Sequence, residues 1–314
     1  MPKEMTHWLI AGKALNRLKP GTEICNILEN FRNLYLVGAV LPDTPAHILT
    51  GREKNLVKEL DREFHDPRES SFAPGARLLS SLDSSITPAY LALLTGTLTH
   101  IITDSVFHPF VYYFCGADDI RKHYRLETYI DLYFMKQYSR NFRSLKKILK
   151  SGEADTKTIS DFMNLYFDSE SRLKPGVYKK SLRLHALIQS AWLKPSLRKT
   201  GRGLNFIPGI KIDDKLELFY PSAHKGEILE GIFSYKNPVT GEEETDSMNS
   251  LAEKAVSRIA AVTEGLAENR TGMGMSAYLQ SLAGPNPLTG LPGRTSDEME
   301  FFSEIKNIDE VIFS

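Results

Sequence analysis

Two histidine–carboxylate series place the strongest constraint on this chain: His100/Asp104/His108 and His123/Glu127, each with a spacing of four. Four residues along an α-helix return the chain to within about 40° of its starting direction and advance it by about 6 Å. Each series therefore lies along one helical face and can grip a single metal ion. Six of the eight histidines fall within the first 127 residues. A fold that uses them must gather helices around a polar, cation-holding centre.

The rest of the chain supplies what such a fold needs. At 314 residues, with 41% hydrophobic and 25% charged, it is long enough for one large helical domain or for a core with an appended lobe. Lys+Arg and Asp+Glu are equal at 39, so no overall charge draws it to nucleic acid or to an acidic membrane. Cys25 and Cys115 are too few for a disulfide framework or a thiolate metal site and fit a reducing compartment, with a single bridge between them left open. The short apolar start, Trp8 to Gly12, is cut off by Lys13, so no secretory signal is visible. The most apolar stretch, Ala89 to Phe114, carries His100, Asp104 and His108 in its middle, which predicts a buried functional helix rather than a membrane span. The expected location is the cytoplasm.

Gly/Pro punctuation divides the first 150 residues into helices. Thr6 is the expected N-cap of a helix carrying Leu9, Ile10, Ala14 and Leu18, ended by Lys19-Pro20-Gly21. A second helix is expected from Ile24 to Val40, broken by Leu41-Pro42-Asp43. Pro42 and Pro45 flank Asp43 and hold it in a constrained loop. A further helix starts at Thr87-Pro88, with the threonine as cap and the proline at the first helical position. Pro109 cannot donate to the carbonyl four residues back and predicts a bend or stop near His108. Beyond residue 150, Leu251, Ala255, Ile259, Val262 and Leu266 mark one amphipathic helix, and 236–247 and 271–295 read as loops. The working division is a metal-binding catalytic core, 1–150, and a helical C-terminal region, 151–314, without an assigned role; the two can equally form one continuous domain.

A lone histidine in a helical protein is usually a satisfied core or surface residue. His7, His65, His100, Asp104, His108, His123 and Glu127 form a set of five imidazoles and two carboxylates, and burying so many ionisable groups without a cation would be costly. Nitrogen and oxygen donors without cysteine suit zinc first, with manganese, iron or cobalt as alternatives. Asp131, four after Glu127, lies on the same face and is expected to orient His123. His47 reads as a loop histidine. The basic segment around Trp192, from Lys179 to Arg202, reads as a solvated amphipathic helix, with contact to an anionic membrane surface as the rival reading.

Thr6-His7-x-x-Ile10-Ala11, Leu41-Pro42-Asp43, Phe64-His65, His100-x-x-x-Asp104-x-x-x-His108 and His123-x-x-x-Glu127 resemble, in order, the zinc-dependent phospholipase C family, which is all-α and distantly similar to S1/P1-type nucleases. The resemblance spans roughly residues 5 to 131. It implies an all-α multi-helix bundle around two or three zinc ions: one held by His65, His100 and Asp104, one by His108, His123 and Glu127, and a third by His7 with a bridging Asp104. It also implies Asp43 as the acid that orients or deprotonates the attacking water. Many secreted members complete the third site with their mature amino terminus. Here the Pro2 amine, or failing that Glu4, is the candidate substitute. The gap from Asp104 to His108 is shorter than in some bacterial members.

The resemblance thus implies a zinc-dependent phosphodiesterase, phospholipase C-like, acting on a phospholipid with peripheral membrane contact. No obligate protein partner is expected. An S1/P1-type nuclease or nucleotidase, with nucleic acid as substrate, uses the same metal chemistry with a different pocket. A non-catalytic metal-binding protein of the same fold is the alternative from outside enzymology.

Overall fold

The apolar run after Thr87 forms the central helix of the protein, Pro88–Cys115, in a computed structural model that describes residues 3–48, 51–138, 144–151, 154–168, 170, 172–174, 176–198, 213–221 and 227–313. Thr87 caps it by accepting from the Tyr90 amide, with Pro88 in the first turn, as its sequence predicts. It is α6 in a series that begins with α1 (Glu4–Arg17), α2 (Glu23–Asn30), α3 (Arg32–Gly38), α4 (Lys54–His65) and α5 (Ala73–Leu82). The series continues through α7 (Ile120–Tyr138), α8 (Leu145–Lys150), α9 (Thr156–Phe167), α10 (Val177–Trp192) and α11 (Asp213–Leu216). A short antiparallel hairpin follows, β1 (Phe233–Lys236) with β2 (Glu243–Asp246), and then α12 (Met248–Glu268), α13 (Gly272–Ser281) and α14 (Asp309–Ile312). The fold is all-α apart from this hairpin, and no helix among the described residues is long and apolar enough to cross a membrane.

α6 is buried around almost its whole circumference, because α1, α2, α3, α7, α9, α12 and β1 all pack against it. Its buried threonines stay satisfied within the helix: Thr95, Thr97, Thr99 and Thr103 each donate to the carbonyl four residues back. The crossing with α3 is the closest approach. A Cβ on Gly96 would lie 2.2 Å from the Tyr35 carbonyl oxygen, and one on Gly38 would lie 2.4 Å from that of Leu93. Two glycines facing each other let the backbones touch.

Several sequence expectations are revised. Thr6 is not the cap of α1: the helix starts at Glu4, with Lys3 as its N-cap, and the cap is supplied from α7. Asp131 accepts from the Met5 and Thr6 amides at 3.2 and 2.9 Å and from the Thr6 hydroxyl, so a carboxylate distant in sequence satisfies the orphan donors. The expected helix from Ile24 to Val40 breaks at Phe31, whose φ of −110° and ψ of 33° leave helical geometry, into α2 and α3. Pro109 does not end α6, which continues to Cys115. Within the expected loop 236–247 lies the second strand of the hairpin, and within 271–295 lies α13. β1 is held by Phe233 and Tyr235 edge-on to Phe110. The amphipathic helix expected around Leu251–Leu266 is α12, lying against α1 and α6 with Leu251, Ala255, Ile259 and Leu266 buried. Cys25 and Cys115 are both buried and free.

Candidate metal centre

Three helices, α1, α4 and α7, and one loop converge on the middle of α6. His100, Asp104 and His108 project from α6, His7 from α1, His123 and Glu127 from α7, and all six are buried. His65 is the last residue of α4 and is also buried. Asp43 comes from the proline-flanked turn after α3, where it is 8% exposed and reaches the edge of a cavity.

The imidazoles are oriented by backbone carbonyls. Nδ1 of His100 lies 3.0 Å from the Ala39 carbonyl, that of His65 2.9 Å from Asp61's, and that of His108 2.7 Å from Pro287's. A carbonyl can only accept, so each ring carries a proton on Nδ1 and turns Nε2, the nitrogen available to a metal once unprotonated, toward the centre. His100 Nε2 is 3.1 Å from Asp104 Oδ2 and His7 Nε2 is 3.2 Å from Asp104 Oδ1, so the two oxygens of one carboxylate face two different rings. Asp43 Oδ1 stands 3.5 Å from His65 Nε2 and 3.7 Å from His100 Nε2. On the other side of Asp104, His123 Nε2 is 2.7 Å and His108 Nε2 3.8 Å from Glu127 Oε1.

Three groups of donor atoms are close enough to share an ion, each within 4.8 Å: His65/His100/Asp104, His108/His123/Glu127 and His7/Asp43/His100. The first two are the groupings that the resemblance implies; the third joins His7 to Asp43 and His100 rather than to Asp104. The site fits zinc on its own chemistry. Both ring nitrogens of His7, the Nε2 atoms of His65, His100 and His108, and both oxygens of Asp104 are buried without hydrogen-bonding geometry to any partner. Such a concentration of unsatisfied lone pairs is the signature of a cation site rather than of a polar core.

Electrostatics split the centre in two. Burial pushes Asp43 up, but the neighbouring charges of His100 and His65 outweigh it and hold the carboxyl at about 2. Asp104 is likewise opposed by burial and held well below the carboxylate range, chiefly by His100. The same carboxylates overcome burial at His65, raised well above its ordinary value by Asp61 and Asp43, and at His100, raised by Asp104 and Asp43. Burial wins at His108, which falls to about 3, and at His123, which falls well below its ordinary value. One half of the centre is an ionised carboxylate–imidazolium lattice and the other a pair of neutral rings.

The remaining candidates lie elsewhere. Asp131 follows Glu127 on α7 but turns its carboxylate to the start of α1 and to the Tyr220 hydroxyl at 2.6 Å, not to His123 as its spacing suggested, because the amides of α1 offer it charge-assisted bonds. Through those bonds it fixes the turn that carries His7. Glu4 is outside the three donor groups; its Oε1 is 3.2 Å from His185 Nε2. Pro2 lies outside the described residues. His47, read from the sequence as a loop histidine, sits in a buried turn, with Nδ1 3.0 Å from the Asp43 carbonyl and its ring stacked on His185 at 4.1 Å. Sequence reasoning missed this His47–His185–Glu4 cluster, since no local spacing links α10 to α1. Of the basic segment Lys179–Arg202, Lys179, Lys180 and Arg183 lie on α10, and Lys199 and Arg202 lie outside the described residues.

A cavity of about 380 Å³ opens beside the centre. Its lining mixes the charged side chains of Lys3, Glu4, Asp43 and Glu127 with apolar and aromatic ones, Ile188, Trp192 and Phe219 among them.

No curated protein and no solved structure matches the chain. A family model described as zinc-dependent phospholipase C matches residues 6–177, more than half of the sequence and all seven proposed metal-ligating side chains. With the helical fold and the zinc-compatible donor groups in hand, this match establishes that the chain belongs to the zinc-dependent phospholipase C family.

Proposed function

We propose that this chain hydrolyses the phosphodiester of a phospholipid, with His65, His100 and Asp104, then His108, His123 and Glu127, and then His7 with Asp104 as the zinc-holding sets, and Asp43 as the catalytic acid–base residue. The observation that carries this reading is the cavity, lined both by Asp43 and Glu127 of the metal centre and by apolar Ile188, Leu216, Leu218 and Phe219. Cations held at those carboxylates would attract an anionic phosphodiester, and the apolar side chains suit the glycerol backbone of a lipid. Zinc bound in this centre supplies Lewis-acid charge beside the phosphoryl oxygens and eases ionisation of water. Asp43 is ionised throughout the neutral range, so its carboxylate accepts a hydrogen bond from the attacking water, aligns it and receives its proton. Its Oδ1 stands 3.5 and 3.7 Å from the Nε2 atoms of His65 and His100, beside the set that would hold zinc. The aliphatic side chains of Ile188, Leu216 and Leu218 in this cavity support a lipid substrate over a nucleic acid base.

The test is a comparison of phosphatidylcholine vesicles with single-stranded DNA as substrates for the zinc-loaded chain. Release of diacylglycerol and phosphocholine is expected, with Asp43→Asn slowing turnover by about 10²- to 10⁴-fold while metal content stays within one equivalent of the parent. Cleavage of the DNA alone would transfer the site to the nuclease reading. Stoichiometric zinc without turnover of either substrate would make it a binding protein.

A further inference from the structure

The loop after α13, far outside the matched segment, reaches the centre through one carbonyl. Pro287 O accepts from His108 Nδ1 at 2.7 Å and thereby sets which nitrogen of that ring faces His123 and Glu127. The position of this carbonyl is controlled by the residue before it. Asn286 is 1% exposed, and its side-chain and backbone polar groups all have partners. Its Nδ2 donates to Asp66 Oδ1 at 2.9 Å and to the Pro67 carbonyl at 3.2 Å. Its Oδ1 accepts from the Leu288 and Thr289 amides at 2.8 and 3.1 Å, and its backbone closes the turn to Gly290 and Leu291. The far side of the turn rests on α6. Gly290, at φ 74°, comes so near the Ser105 carbonyl that a Cβ would lie 2.5 Å from that oxygen, and Ser105 is the residue whose helical acceptor Pro109 leaves without a donor. Asp66, the other end of the clamp, directly follows His65 and also accepts from the Ser296 amide and hydroxyl at 3.0 and 2.7 Å.

We propose that Asn286 is a positioning residue for the metal centre: it ties the end of α4, which carries His65, to the turn whose Pro287 carbonyl fixes the tautomer of His108. The proposal rests on the zinc reading of the centre. An Asn286→Ala chain keeps its backbone bonds but loses both Nδ2 bonds to the α4 end and both bonds that Oδ1 accepts from the Leu288 and Thr289 amides. The Pro287 carbonyl then no longer has a fixed position, and the His108 ring is free to exchange tautomers.

Two measurements on the full-length chain test this. Long-range ¹H–¹⁵N spectra of the metal-free protein should show His108 protonated on Nδ1, and a mixture of tautomers in Asn286→Ala. Zinc titration against a chromogenic chelator should show one class of site weakened at least tenfold in the variant, with the others within twofold of the parent. A folded Asn286→Ala with an unchanged tautomer and all zinc affinities within twofold overturns the proposal, even if its melting temperature falls. Should Asn286→Ala fail to fold, Asn286→Ser is read in the same way, because its hydroxyl still accepts from the Leu288 amide but is too short to reach Asp66. If the parent chain takes up no zinc, the zinc reading fails by itself, and the tautomer spectra still decide the role of Asn286.

Discussion

Asp104 carries more of the centre than any other single side chain. It is fully buried, and its two oxygens face His100 at 3.1 Å and His7 at 3.2 Å. An amide in its place keeps the shape but removes the charge that holds His100 protonated in the metal-free protein and would balance a cation in the loaded one. Asp104→Asn is therefore expected to lose at least one equivalent of zinc by elemental analysis and to drop turnover by at least about 10²-fold. Full zinc retention would show that the carboxylate is a spectator. At this scale the sequence was legible where ligands share a helix, since the spacing of four alone places His100 beside Asp104 and His123 beside Glu127. His7 and His65 have no such local signature, and their assignment to particular ions, like the catalytic role of Asp43, came from the resemblance. The contact of Glu4 with His185 joins residues 181 positions apart, with no periodic or motif signal at either end.

Among the elements, the crossing of α3 and α6 does the positioning. Gly38 and Gly96 allow the backbones to meet, and one residue beyond Gly38 the Ala39 carbonyl holds His100 Nδ1. A methyl on Gly96 would sit 2.2 Å from the Tyr35 carbonyl oxygen, a backbone atom that cannot rotate away. Gly96→Ala should accordingly destabilise the protein by about 2 kcal/mol or more in denaturant unfolding, through overpacking, and weaken zinc uptake as α3 moves off His100. A variant with parental stability and metal content would mean that the two helices can part without disturbing the ring. The helical pattern of α6 and α12 was readable because apolar periodicity and caps are local. The misread elements are those governed from a distance. The start of α1 is capped from α7 by Asp131, and α6 passes Pro109 with the turn at Gly290 packed beside the interrupted carbonyl. The hairpin was read partly as loop because its polar second strand, Glu243–Asp246, owes its place to β1, and β1 to Phe110.

For the molecule as a whole, the split electrostatics of the centre predict an unusual dependence of stability on pH once metal is removed. His47 and His108, both depressed by burial to about 3, and His123, also depressed by burial, stay neutral in the fold but take up protons when unfolded below their ordinary value of 6.5. Their contribution is present above pH 6.5 and is lost as pH falls, at roughly 1.4 kcal/mol per pH unit for each ring. Asp43 and Asp104, held low, add to this acid limb below about pH 4, where the unfolded carboxylates protonate first. His65 and His100 have the opposite sign. Their raised values mean that the fold keeps their protons above pH 6.5 while the unfolded chain gives them up, so their stabilisation is full below 6.5 and is lost as pH rises through the folded values. Denaturation midpoints in a chelator should therefore peak near pH 6.5 and fall on both sides, toward 5 and toward 8. Zinc should reverse the upper limb, because binding expels the protons of His65 and His100 and is favoured as pH rises. The gain in midpoint on adding zinc should thus be larger at pH 7.5 than at 5.5. A metal-free protein whose stability climbs steadily from pH 5 to 8 would show that His65 and His100 are not held as imidazolium by Asp43, Asp61 and Asp104, and with it the account of this half of the centre would fall.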